Sequence, residues 1–125
     1  MCSSDLGGQV FKTLQIPTTL PTLDELLGRR QHPFDQIADK YRRWLTPDAL
    51  NVLTIHAELE GMAYRDWFER FLDNLKRDGV SFTLLADEAR RLLASPQTVP
   101  VCDLVAGTVD GRSGTLAVQG AALAA

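Results

Sequence analysis

The stretch Asn51-Val52-Leu53-Thr54-Ile55-His56-Ala57-Glu58-Leu59-Glu60-Gly61 decides how the rest of this chain is read. It opens as an apolar, β-branched run, Val52 to Ile55, and ends in a histidine and two carboxylates spaced two residues apart. A short run of this kind fits a strand buried on both faces, although its periodicity alone is shared by a buried helix segment. An aromatic, amphipathic segment follows from about Ala63 to Arg77, with Trp67, Phe68, Phe71, Leu72 and Leu75 as its apolar stripe. The local order is therefore strand, polar loop, helix. In α/β folds built this way, ligands sit at the carboxyl ends of the strands, which here is the loop beginning at His56.

Downstream, Asp78-Gly79 stops the helix, and Val80 to Thr83 alternates as a second short strand. A further helix is expected over about Leu85 to Ala94, with Leu85, Ala89, Leu92 and Leu93 inward and Ser95-Pro96 as its end. Strand–helix–strand–helix predicts parallel strands joined by right-handed crossovers. Two such strands do not make a stable sheet by themselves, so neighbours are expected upstream. The tail reads as a β-hairpin over residues 101–119 around Asp110-Gly111, followed by small apolar residues expected to fray.

Upstream, His32-Pro33 opens a helix whose Phe34, Ile37, Ala38, Tyr41 and Leu45 share one face, and Pro47 ends it. Before it, Thr22 and Glu25 form a capping box for a short helix, Leu23 to Leu27, that closes at Gly28. Asp24 suits the positive start of that helix. Pro17 and Pro21 keep the residues between them extended, and Val10 to Ile16 fits a strand.

The chain has 125 residues and a net charge of -3, enough for one domain or part of one, with no basic excess to suggest nucleic acid. Its arginine pairs, Arg29-Arg30, Arg42-Arg43 and Arg90-Arg91, read as solvated helix faces. The two cysteines, Cys2 and Cys102, have no metal-site or disulfide spacing, and Cys102 reads as a packed thiol. No window is long and apolar enough for a membrane span, and residues 1–9 lack a signal-peptide pattern. Met1-Cys2-Ser3-Ser4-Asp5-Leu6 is what the end of a common sequencing adapter gives on translation. Residues 1–6 are therefore expected to be non-native, and the natural chain to begin upstream.

His56 is the sharpest chemical feature, since an imidazole can give or take a proton near neutral pH with little tuning. The plain alternative is a half-buried histidine bonded to a loop carbonyl. Glu58 and Glu60 are candidates to orient the imidazole or to bind a substrate hydroxyl. In an extended continuation they would share a face with His56. The alternative for both is a helix-start carboxylate, and for Glu60 that alternative is the better fit. His-x-Glu-x-Glu alone does not complete a metal-ligand set, and His32 reads as an exposed residue at a helix start. No phosphate-binding glycine loop and no nucleophile elbow is present.

The block Thr54-Ile55-His56-Ala57-Glu58-Leu59-Glu60-Gly61, with Tyr64 and the aromatic helix, resembles the last part of the polysaccharide deacetylase (NodB-homology) family. More narrowly it resembles the formamido-arabinose-phosphoundecaprenol deformylase branch. Gln15-Ile16-Pro17-Thr18-Thr19-Leu20-Pro21-Thr22-Leu23-Asp24-Glu25, Gly79-Val80-Ser81-Phe82 and Gly107 to Gly114 are also similar to that branch. The likeness covers nearly all of residues 9–119.

The resemblance implies an α/β fold, the C-terminal part of a distorted (β/α) barrel with a terminal β-hairpin. Residues 7–120 would be that portion of the domain, and 121–125 a frayed tail. It implies a metal-dependent hydrolase that removes an N-formyl or N-acetyl group from an amino sugar, with His56 as general acid. The substrate would be a lipid-linked amino sugar used for lipid A modification, met at the cytoplasmic face of a Gram-negative inner membrane through a peripheral contact. A divalent metal is expected for the whole family domain and no metal ligand in this chain. The Thr-Phe-Asp-Asp and His-x-x-x-His motifs that supply base and ligands are not in this sequence. The chain by itself is thus expected to be inactive, its partner being the missing N-terminal half of the barrel. A non-catalytic remnant that binds carbohydrate or a partner is the other reading.

Overall fold

A computed structural model describes residues 3–6, 9–11 and 13–123, with the main chain alone for 3–6 and 9–10. The expectations for Met1, Cys2, Gly7, Gly8, Ala124 and Ala125 lie outside the described residues. The chain divides into two compact units. One is Thr18–Ser81, and the other joins Met1–Pro17 to Phe82–Ala125.

The unit of residues 18–81 is helical. It holds α1 (Leu23–Leu26), α2 (Phe34–Trp44), a π-helical turn (Leu59–Ala63) and α3 (Arg65–Arg77). Its core is Leu20, Leu23, Leu26, Ile37, Tyr41, Phe71 and Leu75. Ile37, Tyr41, Phe71 and Leu75 are stripe residues of α2 and α3, Leu23 and Leu26 belong to α1 and Leu20 to the loop before it, and burying each contributes about 1.5–3 kcal/mol before entropy is counted. Tyr41 and Trp67 both lie against Phe71 with ring centres 5.5 Å apart, Trp67 being stacked on it. At the edge of the stripe, Phe34 stays 40% exposed, so it is not one of the core residues its spacing suggested. Gly28 and Gly79 take positive φ just past α1 and α3, as the sequence predicts for stop residues.

Val52 to Ile55 forms no strand, and it is not buried on both faces. A strand needs a neighbour to take up its N–H and C=O groups. Here the Val52 carbonyl accepts from the Thr19 and Leu20 N–H groups at 2.9 and 3.1 Å, and the Val52 N–H donates to Thr19 Oγ1 at 2.8 Å. The partner is thus the proline-bracketed loop. Leu53 packs on the core, whereas Ile55 is 50% exposed. Val80 to Thr83 forms no strand either, although Val80 packs on the same core. The two-strand parallel unit read from the sequence is therefore not formed, and a barrel is not seen.

The other unit contains β1 (Ser3–Leu6), β2 (Gln9–Val10), α4 (Leu85–Leu93), a 3-10 turn (Pro96–Thr98), β3 (Val101–Gly107) and β4 (Leu116–Ala122). Its sheet has the order β2-β1-β3-β4, with β1 parallel to β3 and the other pairs antiparallel. The expected hairpin is present as β3 and β4, turning through Asp110-Gly111, where Arg112 N–H meets the Val109 carbonyl at 3.0 Å. It runs further than the sequence suggested. Ala122 pairs with Cys102 and Leu123 N–H donates to the Val101 carbonyl at 2.8 Å, so residues 120–123 are laddered rather than frayed. Cys102 is buried, as its apolar context predicts. Of the residues expected inward on α4, Leu92 is buried but Leu85 and Leu93 are more than half exposed.

Candidate active site

The site lies within the helical unit, where the apolar run from Val52 ends at His56. The chain does not run extended beyond it. It turns at Ala57-Glu58 and winds into the π-helical turn, with both Leu59 and Glu60 N–H groups donating to the His56 carbonyl at 3.0 Å. The expected common face of His56, Glu58 and Glu60 is therefore lost. Glu58 points to an exposed position, while Glu60 is only 3% exposed. The Glu60 Oε2 accepts from the His56 main-chain N–H at 2.9 Å.

His56 Nδ1 is buried and has no hydrogen-bond partner among the described residues. The group nearest to pairing with it is Asp24 Oδ1, at 3.6 Å. The imidazole side chain is 37% exposed, so its open part is the ring beyond Nδ1. Asp24 was read from sequence as a helix-start carboxylate. The structure places it across from His56, a neighbour that the sequence reading does not give.

Asp24 reaches that place through the capping box. Glu25 Oε2 accepts from the Thr22 N–H at 2.8 Å, and Thr22 Oγ1 donates to Asp24 Oδ1 at 2.5 Å. The loop ahead of the box is tied down from below, where the Tyr41 hydroxyl donates to the Pro21 carbonyl at 2.9 Å. Burial pushes the Tyr41 phenol pKa well above its ordinary value, and the nearby carboxylates of Glu60, Glu25 and Asp24 push it further. Tyr41 is therefore a fixed donor at any ordinary pH. His32 stands elsewhere, half-buried rather than exposed, edge-on to Trp44 at 5.9 Å, with Lys40 Nζ 3.2 Å from its Nδ1.

An imidazole with a carboxylate at one nitrogen and an open opposite edge is an arrangement for passing a proton. Asp24 Oδ1 stands beside Nδ1, and the more exposed part of the ring is the part that a reacting atom could reach. The acids gathered here do not fit a metal. Glu25 and Glu60 are spent on main-chain N–H groups, and no group of three or more His, Cys, Asp or Glu among the described residues could hold an ion.

No family model matches the chain. It is 34% identical over 119 residues to a probable 4-deoxy-4-formamido-L-arabinose-phosphoundecaprenol deformylase ArnD of Wigglesworthia glossinidia brevipalpis, which covers 91% of this chain and 39% of the relative. It is 33% identical over 107 residues to the protein of the same name from Shewanella sediminis, covering 84% of this chain and 33% of that relative. Over most of its length, then, this chain is similar to a family of hydrolases. Within it the likeness is narrow: the chain is an ArnD-like sequence. It spans between a third and two-fifths of the length of these relatives. No helix among the described residues is long and apolar enough to cross a membrane.

Proposed function

We propose that this chain carries the proton-donating part of a deformylase that removes the formyl group from a formamido-arabinose linked to undecaprenyl phosphate. The observation that carries the reading is the facing of Asp24 and His56 in a chain whose relatives bear that deformylase name. In amide hydrolysis, water adds to the formyl carbon and the C–N bond then breaks. The nitrogen leaves readily only if it is protonated as that bond breaks, and this is the task assigned to His56. Its open edge delivers the proton to the departing amine while Asp24 steadies the charged ring from Nδ1. Formate and the free amino sugar are the products.

Activation of the water, with the divalent metal that the resemblance implies, is assigned to residues beyond those of this chain. The relatives are longer than the stretch this chain matches, and residues of that further length would supply them. The lipid tail of the substrate would bring the protein to the inner membrane by a peripheral contact, and the product would serve lipid A modification. The test is formate release from the lipid-linked formamido sugar by the protein translated from the complete reading frame. Release supports the reading. Binding of the lipid-linked sugar without release would make this a carbohydrate-binding remnant instead.

A further inference from the structure

Glu60 is the most deeply buried of the carboxylates around the site, 3% exposed against 5% for Glu25. Taking a carboxylate out of water is costly unless strong hydrogen bonds replace the lost hydration. The bond that Glu60 makes is to the main-chain N–H of His56 itself, at 2.9 Å. Its own N–H returns to the His56 carbonyl at 3.0 Å. Both main-chain polar groups of His56 thus end on the turn that carries Glu60. Across the site the same device recurs, with Glu25 pinning the Thr22 N–H and Thr22 in turn holding Asp24. Glu60 is also held beside the fully buried Tyr41, whose phenol feels its charge. A carboxylate that merely favours a helix start has no need of such burial.

We propose that Glu60 is a positioning residue: by pinning the His56 main chain it fixes the point from which the imidazole reaches toward Asp24. The two side chains stand 3.6 Å apart, slightly beyond hydrogen-bond length, so a small displacement of His56 makes or breaks their pairing. The catalytic meaning of this role rests on His56 being the acid, but the order of its ring can be measured without turnover.

The experiment is long-range imidazole 1H–15N NMR of His56 in the full chain at neutral pH, for wild type, Glu60→Ala and Glu60→Gln. Wild type should give one set of ring signals. Glu60→Ala should give doubled signals or one set at shifted positions, and Glu60→Gln, which keeps an oxygen acceptor, should restore the wild-type set. A wild-type ring pattern in Glu60→Ala overturns the proposal. Should that variant fail to fold, Glu60→Asp replaces it. Its arm is one methylene too short to keep the bond to His56, so doubled ring signals are expected, and an unchanged pattern overturns the proposal.

In the complete, catalytically active protein, Glu60→Ala should lower kcat by about 10²-fold with KM unchanged, and Glu60→Gln should recover most of it. A rise in KM alone would make Glu60 a substrate contact and overturn the positioning role. Ring disorder with undiminished turnover would uphold the positioning role and overturn His56 as the acid.

Discussion

Asp24 Oδ1 faces the buried Nδ1 of His56 at 3.6 Å, although the two residues come from segments far apart in sequence. The capping box that starts α1 sets one of them, and the turn that follows the apolar run sets the other. A carboxylate this close can pair with the imidazole after a small movement and orient it. Asp24→Asn in the complete protein should therefore lower kcat by about 10²-fold while leaving substrate affinity near wild type. Steady-state kinetics with the lipid-linked formamido sugar checks this. A change confined to KM would place Asp24 on the substrate instead.

Thr22 links stability to the site, because its hydroxyl bonds Asp24 Oδ1 and its N–H takes Glu25. Thr22→Ala should cost about 1 kcal/mol of stability, the usual cost of a lost helix cap. Thr22→Ser, which keeps the hydroxyl, should cost much less. Urea unfolding of the two variants separates these outcomes, and equal losses would show that the hydroxyl is not what matters.

Tyr41 predicts an alkaline limit. Burial, then the charges of Glu60, Glu25 and Asp24, raise its phenol pKa above that of the unfolded chain. The neutral phenol is thus the form the fold prefers. The stability from this group is complete below the unfolded value of about 10 and falls as pH climbs beyond it. Tyr41→Phe should remove that part of the pH dependence. It should also lower stability at neutral pH by about 1–3 kcal/mol, because the Pro21 carbonyl loses its donor. Urea unfolding at about pH 8 and about pH 11 tests both statements.

Phe71 is the centre of the aromatic core, 3% exposed and in ring contact with Tyr41, Trp67 and Phe68. Phe71→Ala should destabilise the helical unit by about 3–5 kcal/mol, through lost burial and the cavity left behind. Phe71→Leu, which keeps most of the volume, should cost less. A loss under about 1 kcal/mol for Phe71→Ala would mean that the core collapses around the gap.

The helices and the hairpin were legible because their signals are local. Proline and glycine stops, the Thr22–Glu25 box and the spacing of Ile37, Tyr41, Phe71 and Leu75 each act within a few residues. No strand forms at Val52 or Val80, because an apolar run states only that it favours extended backbone, while pairing depends on a neighbour. For Val52 the neighbour is the loop between Pro17 and Pro21, which bonds it through Thr19 and Leu20.

His56 stands out in the sequence because a histidine at the end of an apolar run is conspicuous. The place of Asp24 opposite His56 is not legible, because a helix-start carboxylate explains it fully in one dimension. The proline-bracketed loop, whose extended backbone lies along Val52, carried the clue to that meeting. The helix-start reading of Glu60 follows from its place just ahead of the aromatic helix, whereas the turn after His56 folds its carboxylate back on the His56 amide, a contact that local spacing does not state.

The most direct test of the central claim is turnover of the undecaprenyl-phosphate-linked formamido sugar by the protein from the complete reading frame, wild type against His56→Ala. If His56 protonates the leaving amine, formate release should fall by about 10²–10⁴-fold with substrate affinity retained. Wild-type turnover in His56→Ala would contradict the account and leave His56 as a half-buried residue of the loop.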